Sequence, residues 1–258
     1  MARISRGIEL WLVALLGTCL GAWLTLAAGG SGFAPVVVCS AGSGWTPSSA
    51  SLDVALVLDS PSKLVGDWAL MIAAMMSPLV ISPLRHVRNR SFARRRTRAT
   101  LLFVTGYVAV WIGAALGLQG LALAARTAAP TPLWLGVAAL AALAWQLAPA
   151  KQWCLNRCHR RPKLSAFGTR ADRDAFVFGL TNGGACAGAC WALMLLPFFA
   201  GPAHFLAMVA VMLFVCGERL EGPGRLAWRW RGPGKALRMV AAQTAMRLEP
   251  PRNMALLP

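Results

Sequence analysis

The chain has 258 residues, of which 57% are hydrophobic and only 14% are charged, and its formal net charge is +17. An ordinary soluble domain of this size contains less apolar and more charged sequence, so the composition excludes that class and indicates a membrane protein. The basic charge alone would also suit a nucleic-acid-binding protein, which the positions of the basic residues argue against.

Six apolar runs follow one another along the chain, each close to the roughly 20 residues that a membrane-spanning helix needs. They cover about residues 8–28, 64–84, 99–125, 132–150, 175–200 and 203–220. The sequence therefore predicts an all-α, polytopic integral membrane protein with about six transmembrane helices. Its predicted parts are an N-terminal helix with a Gly/Ser/Pro-rich outer loop, a five-helix core and a basic cytoplasmic or interfacial tail, at residues 1–63, 64–220 and 221–258.

The first run has two interpretations. A basic start followed by an apolar run and small residues is typical of a cleaved signal peptide, whose apolar core has about 7 to 15 residues. The run here, in MARISRGIELWLVALLGTCLGAWLTLAAGG, is longer than that. Its length favours an uncleaved membrane anchor over a signal peptide.

The basic residues predict the orientation of the helices. All but two of the 26 Lys and Arg residues precede the first run or lie after the second, fourth and sixth; the two exceptions are Lys63 and Arg126. Basic residues in short loops hold those loops on the cytoplasmic side, so we expect both termini in the cytoplasm and the chain in the inner membrane. The same residues would contact anionic lipid headgroups, and this distribution leaves no need for a nucleic-acid partner.

The fifth run contains the stretch GGACAGACWALMLLP, in which Cys186, Cys190 and Met194 are spaced by four residues. Residues four apart lie on one face of a helix. Soft sulfur ligands select Cu(I), and thiolates also bind Zn(II). This row therefore predicts an intramembrane metal site, with Cu(I) as the favoured ion and Zn(II) as the alternative.

Two other predicted helices carry side chains that could complete this site. Met75 lies in the second run. His204 and Met212 lie in the sixth, where they belong to a row of side chains spaced by four residues. Thioether and imidazole groups both bind Cu(I). Glu218, near the inner end of the sixth helix, is either an interfacial anchor or a functional residue, since ionisable groups at membrane depth are functional candidates.

A second set of candidate ligands lies in KQWCLNRCHRRP, at the predicted cytoplasmic end of the fourth helix. It consists of Cys154, Cys158 and His159. Cytoplasmic thiols are normally kept reduced, so we expect these cysteines to form a docking point for a soft metal. The spacing identifies no fourth ligand for a tetrahedral zinc site.

Packing without any metal is the competing interpretation of the sulfur rows. Met and Cys are ordinary components of apolar cores. Gly184 and Gly188 form a GxxxG spacing, and small residues at that spacing let another helix approach closely in a membrane. The two interpretations are compatible, because the glycines could admit a neighbouring helix toward which the sulfurs point.

Several motifs of the chain resemble a known family, the bacterial predicted metal-binding integral membrane proteins of uncharacterised function. They occur in order as DWALMIAAMMSPLVISPL, GYVAVWIGAA, AWQLAPAKQWCLNRCHRRP, GACAGACWALMLLPFFAG and MVAVMLFVCGERL. The resemblance implies a polytopic helical inner-membrane protein that binds metal. Family members commonly have a Cys where Ala189 stands and often a His where Asn182 stands. The motif positions that carry over are Met75, Met76, Cys154, Cys158, Cys186, Cys190 and Trp191.

The leading hypothesis is a non-enzymatic metal-handling protein of the bacterial inner membrane that binds, delivers or transports Cu(I). It would exchange metal with a membrane or metallochaperone partner. One alternative is a membrane thiol-redox protein, although neither cysteine pair has the familiar two-residue spacing of a reactive motif. The other alternative is a non-catalytic helical subunit that docks a partner through small residues.

Overall fold

A computed structural model describes residues 2–28, 61–128 and 131–248. All the regular elements in these ranges are helical, which confirms the all-α prediction. Cys39 and most of the predicted outer loop lie outside the described residues, as does the end of the tail. The α-helices are α1 (Ala2–Ala28), α2 (Pro61–Arg90), α3 (Arg96–Ala128), α4 (Thr131–Leu147), α5 (Pro149–Cys158), α6 (Gly168–Phe199), α7 (His204–Leu220) and α8 (Gly234–Leu248).

Five stretches of helix in the described ranges are long and apolar enough to cross a membrane. They lie in α1, α2, α3, α6 and α7, and correspond to five of the six predicted runs. The number rises to six if the bent pair α4 and α5 is counted as one span.

The fourth predicted run is two helices rather than one. Helix α4 ends at Leu147, Ala148 is extended with φ −66° and ψ 137°, and Pro149 begins α5. A proline disfavours helical geometry at the preceding residue and suits the first position of a helix, where its missing N–H is not needed. The two helices are bent by 69°. The expected single helix over residues 132–150 is therefore wrong, and Cys154 and Cys158 lie on the separate helix α5.

Helix α6 is the centre of the fold, since α3, α4, α5 and α7 all pack against it. Its contact with α3 is close because small residues face each other there: Gly179 and Gly183 on α6 and Gly106 on α3. A Cβ atom at Gly179 would lie 2.2 Å from the carbonyl oxygen of Phe103. Helices in membranes approach this closely only through small residues.

Helix α1 docks on α2 at a backbone position that a proline leaves open. Pro78 lies inside α2 and has no N–H to donate, so the carbonyl four residues earlier, that of Ala74, lacks its usual helical donor. The thiol of Cys19 and the indole Nε1 of Trp23, both on α1, donate hydrogen bonds to this carbonyl at 3.2 and 3.0 Å. The break in the α2 ladder thus becomes the polar contact between the two helices.

The segment between α7 and α8, residues 221–233, lies along α5. The side-chain amide of Gln152 donates to the carbonyl of Ala227 at 2.6 Å and accepts from its N–H at 3.2 Å. The amide of Asn156 bonds in the same two-way manner to Gly224, at 2.7 and 3.0 Å. Each amide therefore replaces a backbone partner, and together they hold the segment on the helix that carries Cys154 and Cys158.

Candidate metal site

The sulfur row predicted on α6 faces the interior of the helix bundle. Cys186, Cys190 and Met194 are buried and belong to one apolar cluster with Met75 of α2 and Met208 of α7. Met212 packs against the same cluster but is only partly buried. Sulfur-bearing side chains from three helices therefore belong to one apolar cluster.

Two hydrogen bonds fix the α6 thiols. The hydroxyl of Tyr107, on α3, donates to the sulfur of Cys186 at 3.3 Å. The thiol of Cys190 donates to the backbone carbonyl of Cys186 at 3.1 Å. Each described cysteine is free. The two sulfurs are therefore fixed one turn apart on a buried face, and no disulfide joins them.

Helix α5 places Cys154 on the side of α6 that carries Gly188. Because residues two apart lie about 200° apart around a helix, this side is opposite to Cys186 and Cys190. A Cβ atom at Gly188 would lie only 2.7 Å from the sulfur of Cys154, so that sulfur occupies the space that the glycine leaves. The indole Nε1 of Trp145 donates to the carbonyl of Gly188 at 3.0 Å. Gly184, the other residue of the predicted GxxxG pair, has nothing within 4 Å of its Cβ position. Gly188 thus admits a cysteine-bearing helix between the levels of Cys186 and Cys190.

The buried thiol of Cys158 lies within electrostatic range of Cys186 and of Cys154. Cys158 is therefore the member of the second pair that connects it to the α6 thiols, although the sequence suggested two separate sites at different depths. The two pairs come from α5 and α6, two helices that the chain connects through residues 159–167.

Arg219 stands next to these thiols, in the last turn of α7. Its guanidinium interacts electrostatically with Cys186, Cys158 and Cys190. Its Nε atom is buried and has no hydrogen-bond partner within the described part of the chain. The guanidinium of Arg161 donates to the carbonyl of Cys158 at 3.1 Å. Partial burial lowers the pKa of Arg161, and the positive charge of Arg219 lowers it further. Two guanidinium groups therefore lie near Cys158; Arg161 as a whole residue is exposed, whereas the Nε atom of Arg219 is buried.

A buried ion pair closes the fold beside the thiols. The ammonium of Lys151, at the start of α5, contacts both carboxylate oxygens of Glu218 at 2.8 and 2.9 Å, and each side chain is 2% exposed. The side-chain amide of Gln146 bonds to both. Removing one member of such a pair leaves a buried charge without its partner, which commonly costs about 3–5 kcal/mol. Glu218 is thus a buried ion-pair partner at the end of α7.

The two candidate histidines are engaged elsewhere. The ring nitrogens of His159 lie against the carbonyl oxygens of Leu155 at 2.9 Å and Arg219 at 3.2 Å, which joins α5 to α7. The Nδ1 atom of His204 lies 2.8 Å from the carbonyl oxygen of Pro197. In this arrangement His159 would have to leave a backbone partner before it could bind an ion.

Across residues 2–28, 61–128 and 131–248, no three His, Cys, Asp or Glu side chains are arranged to hold a metal ion together. The donor set that remains is a pair of thiols with nearby thioethers. Such a set suits a soft ion of low coordination number, Cu(I), and offers nothing to an oxygen-seeking ion such as Mg(II).

Three of these residues were not identified as candidates from the sequence: Tyr107, Lys151 and Arg219. Tyr107 is the single tyrosine of the chain and lies in the motif GYVAVWIGAA, so its rarity was an available signal. The two basic residues were assigned to cytoplasmic loops by charge pattern alone. Only the packing of α5 and α7 against α6 reveals that they point inward.

A family model described as "PpoB2: Copper chaperone" matches residues 65–242. The chain belongs to the PpoB2 copper chaperone family. No curated protein and no solved structure matches it. The matched range begins in α2 and ends in α8, so it contains both cysteine pairs and Arg219.

Membership of the PpoB2 copper chaperone family suggests a copper-handling role for this chain. It supports the copper-handling part of the sequence-based hypothesis. The family match also agrees with the resemblance to metal-binding proteins, in that both point to a metal-related role.

Proposed function

We propose that this PpoB2 family member binds Cu(I) as cargo inside the bacterial inner membrane, through Cys186 and Cys190, and exchanges it with Cys154 and Cys158. The observation that carries the proposal is the placement of α5 against α6. The sulfur of Cys154 fills the space at Gly188, and Cys158 lies within electrostatic range of Cys186. We therefore infer that an ion passes between the pairs through Cys158 and Cys186.

Burial sets the proton balance of binding. An isolated thiolate in an apolar interior is costly, so the metal-free site holds neutral thiols. When Cu(I) enters, each sulfur–copper bond replaces a sulfur–hydrogen bond and a proton is released. The copper keeps its oxidation state throughout. No enzymatic step is involved, and binding weakens as pH falls because protons compete for the sulfurs.

The location of the site supports exchange with the cytoplasm. Helix α7 has 17 residues and is about 26 Å long at 1.5 Å per residue. Arg219, in its last turn, lies beside the thiols, so the site is near the end of α7 that the basic residues assign to the cytoplasm. A membrane protein or soluble metallochaperone at that face would supply or receive the ion. Zn(II) remains the alternative cargo.

The decisive experiment measures copper in anaerobically purified protein. We expect the double variant Cys186→Ser/Cys190→Ser to lose bound Cu(I) while still inserting and folding. The matched control is Cys19→Ser/Cys39→Ser, which removes the same number of thiols, from α1 and from the predicted outer loop, and should keep the copper. If the first double variant retains the wild-type copper content, the α6 sulfurs are packing groups. Trapping of a mixed disulfide with a partner would instead support the thiol-redox alternative.

Alkylation tests the proposed route. Cys154, the partly exposed member of the α5 pair, should react with a membrane-impermeant thiol reagent in inverted vesicles and not in intact cells. Prior loading with Cu(I) should protect it, because coordinated thiolates are poor nucleophiles. Labelling from the outer face only, or the absence of protection, would contradict a cytoplasmic docking role for α5.

A further inference from the structure

We propose that Arg219 supplies the counter-charge of the Cu(I) site and thereby makes the site prefer a monovalent ion over a divalent one. The inference rests on the proposed function, because it assigns a residue that sets the selectivity of the same site. It starts from an unusual juxtaposition. A guanidinium group lies among buried thiols that have no negative charge until metal binds.

The fold holds Arg219 in this position through its backbone. The Nε2 atom of His159 lies 3.2 Å from the carbonyl oxygen of Arg219, while Nδ1 of the same ring lies 2.9 Å from the carbonyl oxygen of Leu155. The imidazole thus joins the end of α7 to α5 one residue after Cys158. The side chain of Arg219 then extends toward Cys158, Cys186 and Cys190.

No ion pair joins Arg219 to a carboxylate within the ranges that the structure describes. Glu218 lies within electrostatic range of Arg219, but its carboxylate oxygens are bound by Lys151 and Gln146. The other described ion pairs join Asp172 to Arg95 and Arg98, at the distant start of α6. The buried Nε atom of Arg219 also has no hydrogen-bond partner among the described residues. The guanidinium therefore faces the sulfurs with its charge available to them.

Charge balance explains which ion this arrangement favours. Two thiolates and one Cu(I) carry a single negative charge, which the guanidinium cancels. Two thiolates and one Zn(II) are already neutral, so the guanidinium leaves the site with a net positive charge. Uncompensated charge is expensive away from water, and no third His, Cys, Asp or Glu is placed to join the ion in the described chain. The neutral combination is therefore Cu(I), two thiolates and Arg219.

The binding step balances without any oxidant or reductant. Two sulfur–hydrogen bonds break, two sulfur–copper bonds form, and two protons leave to water at the inner end of α7. Arg219 forms no bond to the metal. It stabilises the anionic copper–dithiolate unit by charge alone and is a positioning and selectivity residue.

The test compares Arg219→Gln, Arg219→Met and Arg219→Lys with wild type in detergent under anaerobic conditions. Cu(I) affinity is measured against a chromogenic Cu(I) chelator, and Zn(II) affinity against a zinc indicator. The neutral variants should lose about tenfold or more in Cu(I) affinity, since removing one member of a desolvated charge pair is costly. Their Zn(II) affinity should stay the same or rise. Arg219→Lys keeps the charge and should restore most of the Cu(I) preference.

Arg160→Gln is the matched control, because Arg160 is exposed and lies two residues beyond Cys158. It should leave both affinities at the wild-type values. The readout is the ratio of the Cu(I) affinity to the Zn(II) affinity. A general loosening of the fold would lower both affinities and leave this ratio unchanged. Gel-filtration profiles identify any variant that has not folded.

The outcomes separate this inference from the proposed function. If wild-type protein binds no Cu(I), the proposed function fails. If wild type binds Cu(I) but Arg219→Gln and Arg219→Met keep the wild-type ratio, the counter-charge role is wrong. An equal loss for Cu(I) and Zn(II), not restored by Arg219→Lys, would likewise overturn it and leave a purely structural role.

Discussion

Individual residues next to the cysteines determine where the thiols lie. Gly188 leaves room for the sulfur of Cys154, and Tyr107 donates to Cys186 at 3.3 Å. Neither residue is a conventional metal ligand. Both nevertheless set the position of a thiol, and we expect substitutions at them to alter copper binding.

Gly188→Ala tests the contact between α5 and α6. The new Cβ would lie 2.7 Å from the sulfur of Cys154, so α5 must shift, at a cost of about 1–3 kcal/mol for overpacking. Gly184→Ala is the matched control because nothing lies within 4 Å of its Cβ position. It should be neutral or stabilise the helix by up to about 1 kcal/mol. Thermal unfolding in detergent and copper content are the measurements. Identical unfolding of the two variants would contradict the proposed packing.

Met194→Leu tests the contribution of the thioether to copper binding. Leu has a similar volume, so the free energy of unfolding should change by less than about 1.5 kcal/mol. The affinity for Cu(I) should fall by up to about tenfold, less than for loss of both cysteines, because a soft ligand is removed. Met239→Leu, at an exposed site on α8, is the control. Unchanged Cu(I) affinity would assign Met194 to packing.

At the scale of elements, the break between α4 and α5 determines where the second cysteine pair lies. Pro149 begins α5 after the extended Ala148, and the 69° bend turns α5 so that it packs against α6. A straight helix would have carried Cys154 and Cys158 onward along the direction of α4. Helix α5 in turn holds residues 221–233 through Gln152 and Asn156.

The double variant Gln152→Ala/Asn156→Ala should release that segment. Each lost hydrogen bond is worth about 0.5–1.5 kcal/mol, so local opening becomes more frequent while the helices stay packed. Trypsin should then cut at Arg225 and Arg229 about tenfold faster or more, since cleavage follows the population of the open form. Gln243→Ala, on an exposed face of α8, is the control. Equal cleavage rates in the two variants would show that the amides do not hold the segment.

At the scale of the whole molecule, α6 organises the fold, with four other helices packed on it. Its 32 residues extend about 48 Å at 1.5 Å per residue, well beyond the roughly 30 Å of a bilayer core. Arg95, in the short turn between α2 and α3, and Arg98, at the start of α3, bind Asp172 near the beginning of α6. This end of the molecule is therefore the one that we expect to project into the cytoplasm.

Reporter fusions test the orientation of the whole chain. Fusions after residues 60, 95, 128, 165 and 201 should report outside, inside, outside, inside and outside, because the basic residues alternate in that order. The bent pair α4 and α5 makes the fusion after residue 165 decisive. An external reporter there would mean that the pair re-enters on the side it started from and does not cross. Removal of the Arg85–Arg98 cluster should weaken the orientation of its neighbours.

The helical positions were predictable because apolar length and helical spacing are local properties. Cys186, Cys190 and Met194 were correctly expected on one face of a helix, because residues spaced by four lie on the same face. The break at Pro149 was missed because the apolar composition continues across it. The close contact through Gly179 and Gly183 was also missed, although they have the same GxxxG spacing as the predicted pair, because spacing does not say which face meets a neighbour.

The sequence by itself therefore determined the helical class, the apolar runs and the two cysteine pairs, whose thiols predict soft-metal chemistry, because these depend on residue type and short-range spacing. Only the tertiary structure decided that Cys154 lies at Gly188, that Cys158 lies near Cys186 and that Arg219 lies near the sulfurs. Those contacts join α5, α6 and α7, and the relative rotation of packed helices depends on every residue at their interfaces. A charge pattern places Arg219 near a membrane surface, whereas packing turns it toward the buried thiols.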